Sequence, residues 1–430
     1  MLRLLHPSSN QCGKTETDLF SVPMTQTVIE ESIFTEINPV SILSSTESII
    51  EFVIPSNAEL FTDLSESYLY LKGTIVDEKG DTLDPALPIY PENNFLHTFF
   101  SNIDVSLNEV NVTGSPSNYA IRAYLETLLN YSEDAKKTHL RSSGFYGDRS
   151  LLEADFRDNF SFELYGKLHC DIFHQPRLML NGVEIKLRFT RSPAAFYLFC
   201  DDALAAAKKP IVRIDDIYLY IRRVKLTPHA FLSIERNLLH NTAKYPITRV
   251  ETRVFTIASG ISGKNIDNII LGSLPKRVIV GLLDHSAYNG NYLKNCLEFK
   301  HFSLETVALY INGTCFGKPF DLSFDSSNVE KSKCIRGYSS IFSSTGTNND
   351  VSSGINFRHY VKEGCTLFGF VLSQDQCVDS LEHLNPLRQG ELSLRVSFAN
   401  PITNPVSVVV YAEFSQLIEI TKTREVLYNP

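Results

Sequence analysis

The chain has 430 residues and a mass of 48.5 kDa, with 43% hydrophobic and 21% charged side chains. This composition is that of a globular protein with a buried core and excludes global disorder. The net charge of −9 argues against a dedicated nucleic-acid binder, which would present a basic field. No apolar run approaches the ~18–20 residues needed to span a bilayer, and residues 1–7 are too short for a secretory signal.

Tyr, Phe, Ser, Thr and β-branched residues dominate the composition, which favours an all-β fold. Residues 1–26 are polar and lack periodicity, so they are predicted to form an N-terminal arm. Period-2 alternation and turn residues predict strands at 49–54, 67–76, 103–107, 160–173, 183–189, 210–226, 249–258, 277–283, 307–311, 366–372, 392–398 and 406–414.

One segment has helical periodicity. Apolar residues recur at three- and four-residue steps from about Asn118 to Leu140, and Lys136 and Lys137 suit a helix C-terminus. We predict a single helix at 118–140, inserted between strands of the first domain and packed against that domain through Tyr124, Leu128 and Tyr131. The longest connection, 323–357, is predicted to be a functional or mobile loop.

Two weak internal matches share nearly the same offset. Residues 103–109 align with 307–313 at an offset of 204, and residues 184–189 align with 391–396 at an offset of 207. Agreement between the two offsets indicates a duplication of about 200 residues. We predict two tandem eight-stranded jelly-roll β-sandwiches, at 27–235 and 236–430.

Eight cysteines are spread along the chain, and no two are closer than twelve residues. That spacing excludes paired-cysteine metal sites, and a disulfide framework would be unusual in a long chain without a secretory signal. The sequence therefore predicts free thiols at positions 12, 170, 200, 296, 315, 334, 365 and 377.

Phosphate-loop candidates fail on spacing. Gly13-Lys14-Thr15 lacks the earlier glycine, because Ser8 stands in its place, and it has no preceding core strand. The segment from Gly313 to Lys318 is interpreted as the turn after a strand.

The titratable residues show no catalytic pattern. His169 and His174 lie five residues apart on a predicted strand, so alternation places them on opposite faces, and His97 is expected to pack among phenylalanines. The carboxylate pairs are adjacent in sequence and diverge: Glu30-Glu31, Asp201-Asp202 and Asp215-Asp216. No catalytic, cofactor-binding or metal-binding residue is assigned and no cofactor is expected, so the sequence favours a structural protein over an enzyme.

Longer segments resemble the major capsid proteins of Maverick/Polinton elements and the related adintoviruses. The resemblance covers roughly residues 30–425 and is carried by 94–108, 119–131, 178–187, 223–228, 242–251, 274–282, 288–292, 299–302 and 408–414.

This resemblance implies a double jelly-roll subunit without catalytic residues. It implies a hexon-like homotrimer, in which three copies form a pseudo-hexagonal capsomer that tiles an icosahedral shell around double-stranded DNA. The expected partners are the protein itself, neighbouring capsomers, and penton and minor capsid proteins. Strong direct nucleic-acid binding and a membrane span are not expected. The resemblance implies a location in the virion capsid, with synthesis in the host cytoplasm and assembly in the nucleus, and an outward-facing loop at 323–357.

Three alternatives stay open at this point. A host-domesticated capsid-like protein has the same sequence signature. A secreted lectin-like β-sandwich needs a signal peptide and paired cysteines. An enzyme on a β-sandwich needs a convergent cluster of histidines or carboxylates.

Overall fold

The computed structural model describes residues 8, 15–40, 48–84, 86–114, 118–147, 149–156, 160–325, 327–345, 353–377 and 383–428. The strands of the first half are β1 Ile29–Ile37, β2 Ile49–Ile54, β3 Leu60–Val76, β4 Ile89–Pro91, β5 Phe100–Leu107, β6 Val110–Asn111, β7 Ser161–Lys167, β8 Ile185–Arg191, β9 Leu198–Cys200 and β10 Ile211–Leu226. Those of the second half are β11 Ala243–Ile257, β12 Gly263–Ser273, β13 Arg277–Asp284, β14 Leu304–Ile311, β15 Thr314–Cys315, β16 Phe320–Asp321, β17 Leu367–Val371, β18 Gln389–Phe398, β19 Val406–Ile420 and β20 Val426–Tyr428.

These strands form two tandem jelly-roll sandwiches. The first pairs the sheet β1-β10-β3-β7 with the sheet β2-β8-β5-β6, and the second pairs β11-β19-β13-β17 with β12-β18-β14-β15. Taken in chain order, each strand of the first sandwich has a counterpart at the same sheet position in the second. The all-β double jelly-roll prediction is therefore correct, and β4-β9, β16 and β20 are additions to this plan.

The register shows that the duplication extends to single residues. Ile103 of β5 lies opposite Phe189 of β8, and Val307 of β14 lies opposite Val396 of β18. Ile103 and Val307 are 204 residues apart, and Phe189 and Val396 are 207 residues apart, which are the two offsets found in the sequence. The aligned segments therefore occupy equivalent strands, as the repeat predicted.

The hairpin turns that follow the aligned strands are duplicated too. Asn108-Glu109 joins β5 to β6, Asn312-Gly313 joins β14 to β15, and all four residues have positive φ, as a tight two-residue turn between twisted strands requires. In each hairpin the asparagine Oδ1 accepts the backbone N–H of a glutamate, at 2.8 Å from Glu184 and at 2.8 Å from Glu391. The segment beginning at Gly313 is therefore a turn, as predicted.

Most predicted strands are present, with corrections at three places. Alternation did not indicate β1 or β12, because β1 is exposed on both faces and β12 is interrupted by a bulge between Ile266 and Ile270. The predicted strand 160–173 ends at Lys167, and Asp171–His174 forms a 3₁₀ turn. This turn changes which side chains meet.

The α-helices are α1 Phe95–Thr98, α2 Tyr119–Asn130, α3 Glu133–Lys137, α4 Arg149–Phe156, α5 Ala194–Tyr197, α6 Ala203–Ala207, α7 Pro228–Asn237, α8 His285–Tyr288, α9 Ile335–Thr345 and α10 Phe357–Lys362. The single helix predicted at 118–140 is wrong, because Tyr131 has extended backbone angles. The hydroxyl of Ser132 then accepts the N–H of Ala135 and starts α3. A 3₁₀ turn at His139–Ser143 completes the segment.

Helix α2 is inserted between β6 and β7 of the first sandwich, as predicted, but its packing differs from the prediction. Every residue from Tyr119 to Leu129 is buried. Tyr119 and Ala123 belong to the hydrophobic core of the first sandwich, whereas Tyr124 and Leu128 belong to that of the second. A helix buried all around lies between two packed bodies, so α2 joins the two sandwiches.

Replacing Leu128 with alanine is expected to lower the free energy of unfolding by about 2–3 kcal/mol, because a buried leucine leaves a cavity. Thermal unfolding followed by circular dichroism measures the loss. Leu151→Ala, on the exposed side of α4, is the control and should change stability by less than about 0.5 kcal/mol. Equal midpoints for the two variants would contradict the buried position of Leu128.

The segment 323–357 is not the outward loop that was expected. Its described residues include α9, which packs against β17, and Gly337, Ser340 and Ser344 form part of the buried face of α9. A Cβ atom on Gly369 of β17 would lie 2.1 Å from the Ser344 Oγ, so glycine permits this close approach. Residues 326 and 346–352 lie outside the described residues.

The division at 235/236 and the arm at 1–26 stay predictions. Helix α7 lies between β10 and β11, at the predicted junction. The seven cysteines among the described residues are free thiols, and Cys12 lies outside them.

Candidate functional site

The exposed surface of the first sandwich carries an unusual amount of apolar area. Before and within β1, large apolar side chains point into solvent, and Phe20 is 97% exposed. The set comprises Leu19, Phe20, Val22, Met24, Val28, Ile33 and Phe34. Single exposed apolar residues are ordinary, but a run of them in one segment is typical of a surface that another chain covers.

Strand β1 adds a second feature to this segment. It pairs with β10 on one side and ends its sheet on the other. An edge strand presents unpaired N–H and C=O groups, and most proteins protect such edges with charges, bulges or short strands. Strand β1 has three glutamates and a bulge near its start, but it is nine residues long and its centre carries Ile33 and Phe34. This apolar centre is suited to contact with a partner.

A row of aromatic rings continues from β1 across the outer face of the sheet β1-β10-β3-β7. Phe34 stacks on Tyr220 with a centroid separation of 5.1 Å, and Tyr70 stacks on Tyr218 at 4.5 Å. Alternation explains the row, because the intervening residues of β3 and β10 point into the core. We call this the aromatic face, and it consists of Phe34, Tyr68, Tyr70, Tyr165, Tyr218 and Tyr220.

The corresponding sheet of the second sandwich is covered. Residues on both faces of β13 are buried, and α2 and α9 contribute to the hydrophobic core around it. In the first sandwich the tyrosines of the aromatic face stay partly exposed. The two sandwiches therefore share a topology but differ in which sheet face is available.

A buried ionic network lies where α2 meets both sandwiches. Arg122 Nε is 2.7 Å from Glu126 Oε1, and Arg122 Nη1 is 2.6 Å from Asp171 Oδ1. Burial raises the pKa of Asp171, and the charge of Arg122 opposes that shift. The hydroxyl of Tyr411, from β19, lies 3.3 Å from the same oxygen of Glu126, and this contact extends the network into the second sandwich.

A second buried ion pair continues the network within the second sandwich. Arg277 pairs with Glu413, and the hydroxyl of Tyr411 donates to Glu413 at 2.7 Å. Burial alone would raise the pKa of Glu413, but the charges of Arg277 and Lys276 hold it below its usual range. These contacts explain how an apolar interior accommodates several charges.

The two histidines predicted to lie on opposite faces meet at one carboxylate. His169 Nδ1 is 2.7 Å from Glu126 Oε2, and His174 Nε2 is 3.3 Å from the same atom. The prediction is wrong because the strand ends at Lys167 and the following 3₁₀ turn returns His174 to the side of His169.

Of the other residues considered from the sequence, only His97 reaches this cluster within the described part of the chain: its ring packs edge-on against that of His169, with centroids 4.7 Å apart. His97 is buried, as expected, and its Nδ1 lies 2.9 Å from the hydroxyl of Tyr119. Asp202 accepts the N–H of Ala205 at 2.6 Å and caps α6. The remaining carboxylates of the adjacent pairs are exposed on separate strands and loops: Glu30, Glu31, Asp201, Asp215 and Asp216. Gly13 and Lys14 lie outside the described residues.

Two cavities are open to solvent. One, of about 460 Å³, lies over the sheet β12-β18-β14 and is lined by polar side chains such as Asn265, Tyr310 and Arg395. The other, of about 200 Å³, is lined by Glu66, Tyr131, Lys167, His169, His174 and their neighbours. The second cavity is therefore bordered by the two histidines that contact Glu126.

Comparison with known proteins shows one relative in sequence and several in structure. No model of a known protein family matches the chain. An uncharacterized protein of Caenorhabditis elegans is 26% identical over 418 residues, which cover 93% of this chain and 97% of the relative.

Solved structures with a similar fold include viral capsid proteins. The PBCV-1 virus capsid protein aligns with a TM-score of 0.62 and 9% identity over 96% of this chain and 100% of its own. The Sputnik virophage structure aligns with a TM-score of 0.57 and 11% identity over 99% and 94% of the two chains. The mavirus major capsid protein aligns with a TM-score of 0.55 and 10% identity over 100% and 95%. At such identities the likeness shows a shared double jelly-roll fold along the whole chain.

Among the described residues, no helix has the length and apolar character that crossing a bilayer requires.

Proposed function

We propose that the chain is the structural subunit of a virus-like capsid. Three copies form a pseudo-hexagonal capsomer, and capsomers tile an icosahedral shell around double-stranded DNA. The observation that carries this proposal is the tandem duplication, in which two sandwiches of equal topology and register follow one another in one chain. Structural neighbours named as a virus capsid and as a major capsid protein support it.

The geometry of the duplication suits hexagonal tiling. Two similar sandwiches side by side form two similar wedges, and three copies supply six around one axis. A single gene product then fills a hexagonal position. No catalytic role is proposed, because neither the sequence nor the geometry of the described residues assigns a reaction.

We propose that the covering partner of the aromatic face and of residues 19–34 is a second copy of this chain. An isolated chain leaves these apolar side chains in water, and obligate subunit interfaces commonly bury ~2,000–5,000 Å² with an apolar centre. The equivalent sheet face of the second sandwich is already covered by helices, so the contact joins unlike surfaces, as a ring around a threefold axis requires.

The finer assignments follow from the sequence resemblance. We propose membership of the Maverick/Polinton and adintovirus group, a division into domains at 27–235 and 236–430, a location in the virion capsid, and contacts with penton and minor capsid proteins. The net charge of −9 leaves neutralisation of the DNA to other, basic proteins.

A second candidate is a host-domesticated copy that retains particle formation. The relative in Caenorhabditis elegans, which matches over nearly the whole chain, is the observation that favours it. Genomic context separates the two candidates. An intact element carries neighbouring capsid and packaging genes, whereas a domesticated gene stands alone.

The purified protein is expected to be a trimer with three times the 48.5 kDa chain mass. An apolar interface resists salt, since screening weakens mainly exposed charge pairs, so the trimer should persist at high ionic strength and dissociate in denaturant. Size-exclusion chromatography with light scattering at low and high salt measures this. A mass of 48.5 kDa at micromolar concentration in both salts would contradict the capsomer proposal.

Two matched variants test whether the aromatic face is the contact between copies of the chain. Tyr218→Asp places a charge in the aromatic face and should yield folded monomer. Leu204→Asp, on α6 with its side chain 77% exposed, is the control and should remain trimeric. A trimer that tolerates Tyr218→Asp would keep the capsomer but exclude the aromatic face as its interface.

A further inference from the structure

Three potential ligand atoms converge beside α2 from separate segments of the chain. Glu126 lies on α2, His169 lies just after β7, and His174 ends the following 3₁₀ turn. Their nearest side-chain oxygen and nitrogens lie within 4.8 Å of one another. Glu126 and His169 are buried, and His174 is 46% exposed.

Two positions of the His169 proton fit its neighbours. With the proton on Nδ1, His169 donates to Glu126 Oε2, 2.7 Å away. With the proton on Nε2, His169 faces the hydroxyl of Thr127, 3.4 Å away, which can accept because it donates its own proton to the carbonyl of Ala123 at 2.7 Å. In this second arrangement the lone pair of Nδ1 points at Glu126 Oε2, and a cation between the two atoms could bind both.

A divalent cation could occupy the space between these two atoms once no proton lies on Nδ1. It would use the lone pairs of His169 Nδ1 and Glu126 Oε2 at once and would also attract the nearby His174, whose Nε2 is 3.3 Å from the same oxygen.

We propose that Glu126, His169 and His174 form a binding site for a first-row divalent cation, of which Zn²⁺ fits the donors best. Two imidazole nitrogens and one carboxylate oxygen are a common three-ligand set for zinc. With ligand bonds of about 2.0–2.2 Å, tetrahedral coordination separates ligand atoms by about 3.4 Å. The 3.3 Å between Glu126 Oε2 and His174 Nε2 already matches that separation, and the 2.7 Å contact needs a small rotation of His169.

The surroundings are those that a metal site needs. Glu126 Oε1 is held by Arg122 at 2.7 Å and by Tyr411 at 3.3 Å, which orients Oε2 toward the histidines. With a metal on Nδ1, His169 Nε2–H would face the Thr127 hydroxyl, 3.4 Å away, and metal-bound histidines usually make an outer hydrogen bond of this kind.

The nearby cations are neutralised by carboxylates. Arg122 is paired with Asp171 as well as with Glu126, and Lys167 is paired with Glu66 at 2.8 Å. The cavity of about 200 Å³ beside His174 has room for water at the open coordination position and gives the ion a path of entry.

A bound cation would stabilise the junction of the two sandwiches. It would tie α2 to the segment after β7, and α2 in turn packs into the second hydrophobic core. This inference is independent of the proposed capsid function.

Isothermal titration of chelator-treated protein with ZnCl₂ tests the site. We expect one saturable site per chain in the natural protein. His174→Ala should weaken it by at least about 100-fold, since loss of a ligand costs more than the 10–100-fold typical of losing an outer hydrogen bond. The matched control is His383→Ala, because His383 is also exposed and also contacts a carboxylate, Asp375, at 2.6 Å. This control should bind Zn²⁺ as the natural protein does.

Two further readouts keep the test decisive. Co²⁺ at the site should give the intense visible absorption of a four-coordinate ion in the natural protein and lose it in His174→Ala. Zn²⁺ should raise the melting temperature of the natural protein and of His383→Ala but not of His174→Ala. Absence of saturable Zn²⁺ binding by folded natural protein, or equal affinity in His174→Ala, would overturn the proposal and leave a Glu126–His169 hydrogen bond.

Discussion

Arg122→Met is expected to destabilise the protein by about 3–5 kcal/mol, because it removes the cation between two buried carboxylates. Arg122 contacts Glu126 at 2.7 Å and Asp171 at 2.6 Å, and all three side chains are at least 94% buried. Methionine fills much of the volume of the arginine side chain, so the lost stability reflects the missing charge rather than a cavity.

The control is the same substitution in an exposed ion pair. Arg141 contacts Asp155, and both side chains are about 40% exposed. Arg141→Met should cost less than about 1 kcal/mol, because water already solvates both charges. Chemical unfolding at one fixed protein concentration compares the variants, since self-association adds to apparent stability. Similar midpoints for Arg122→Met and Arg141→Met would show that the network is not held together as described.

The strand pattern and the duplication were predictable from the sequence because they depend on local alternation. In β5 and β14, apolar residues alternate with polar ones and an asparagine turn follows, so the residue pattern alone was enough to match Ile103 with Val307. The pairing register of the strands keeps this residue-by-residue match, because shifting a strand by one residue would turn every one of its side chains to the other face of the sheet. The weakest signal came from β1, which is exposed on both faces and therefore shows no alternation of apolar and polar residues.

The polar junction was not predictable because it depends on contacts between distant segments. Periodicity placed Tyr124 and Leu128 on one apolar face, but nothing local indicated that Arg122 and Glu126 would also be buried. Their burial depends on Asp171 and Tyr411, which lie 49 and 289 residues beyond Arg122 in the sequence. The meeting of the two histidines likewise depends on where β7 ends.

The segment 323–357 was misread for a different reason. Serine and glycine are typical of loops, and their number in this segment suggested one. Their spacing carries the missed signal: Gly337, Ser340 and Ser344 recur at three- and four-residue steps. Small residues at helical spacing allow a helix to approach a sheet closely, as α9 approaches Gly369.

Glu92→Gln is expected to stabilise the protein at neutral pH and to remove part of its pH dependence. Burial raises the pKa of Glu92 to about 7, against 4.5 for an ordinary glutamate, although the N–H of Asn93 donates to it at 3.0 Å. A raised carboxyl pKa means that the folded state holds the proton more tightly than the unfolded chain. The resulting stabilisation is complete below about pH 4.5 and is lost as the pH rises to about 7.

The rise in the pKa of Glu92 from 4.5 to about 7 corresponds to about 3 kcal/mol of lost folding stability at pH 8, since each pKa unit is worth about 1.4 kcal/mol. Glutamine keeps the shape and stays neutral, so Glu92→Gln should exceed the natural protein in stability by up to that amount at pH 8 and by little at pH 4.5. Urea unfolding of both proteins across this range measures the difference, in which the contributions of all other groups cancel. Glu59→Gln, at an exposed position, is the control and should give a small difference at every pH. A difference for Glu92→Gln that does not change with pH would show that Glu92 is ionised in the folded protein throughout, and that its burial is compensated by the positive charge of Arg149.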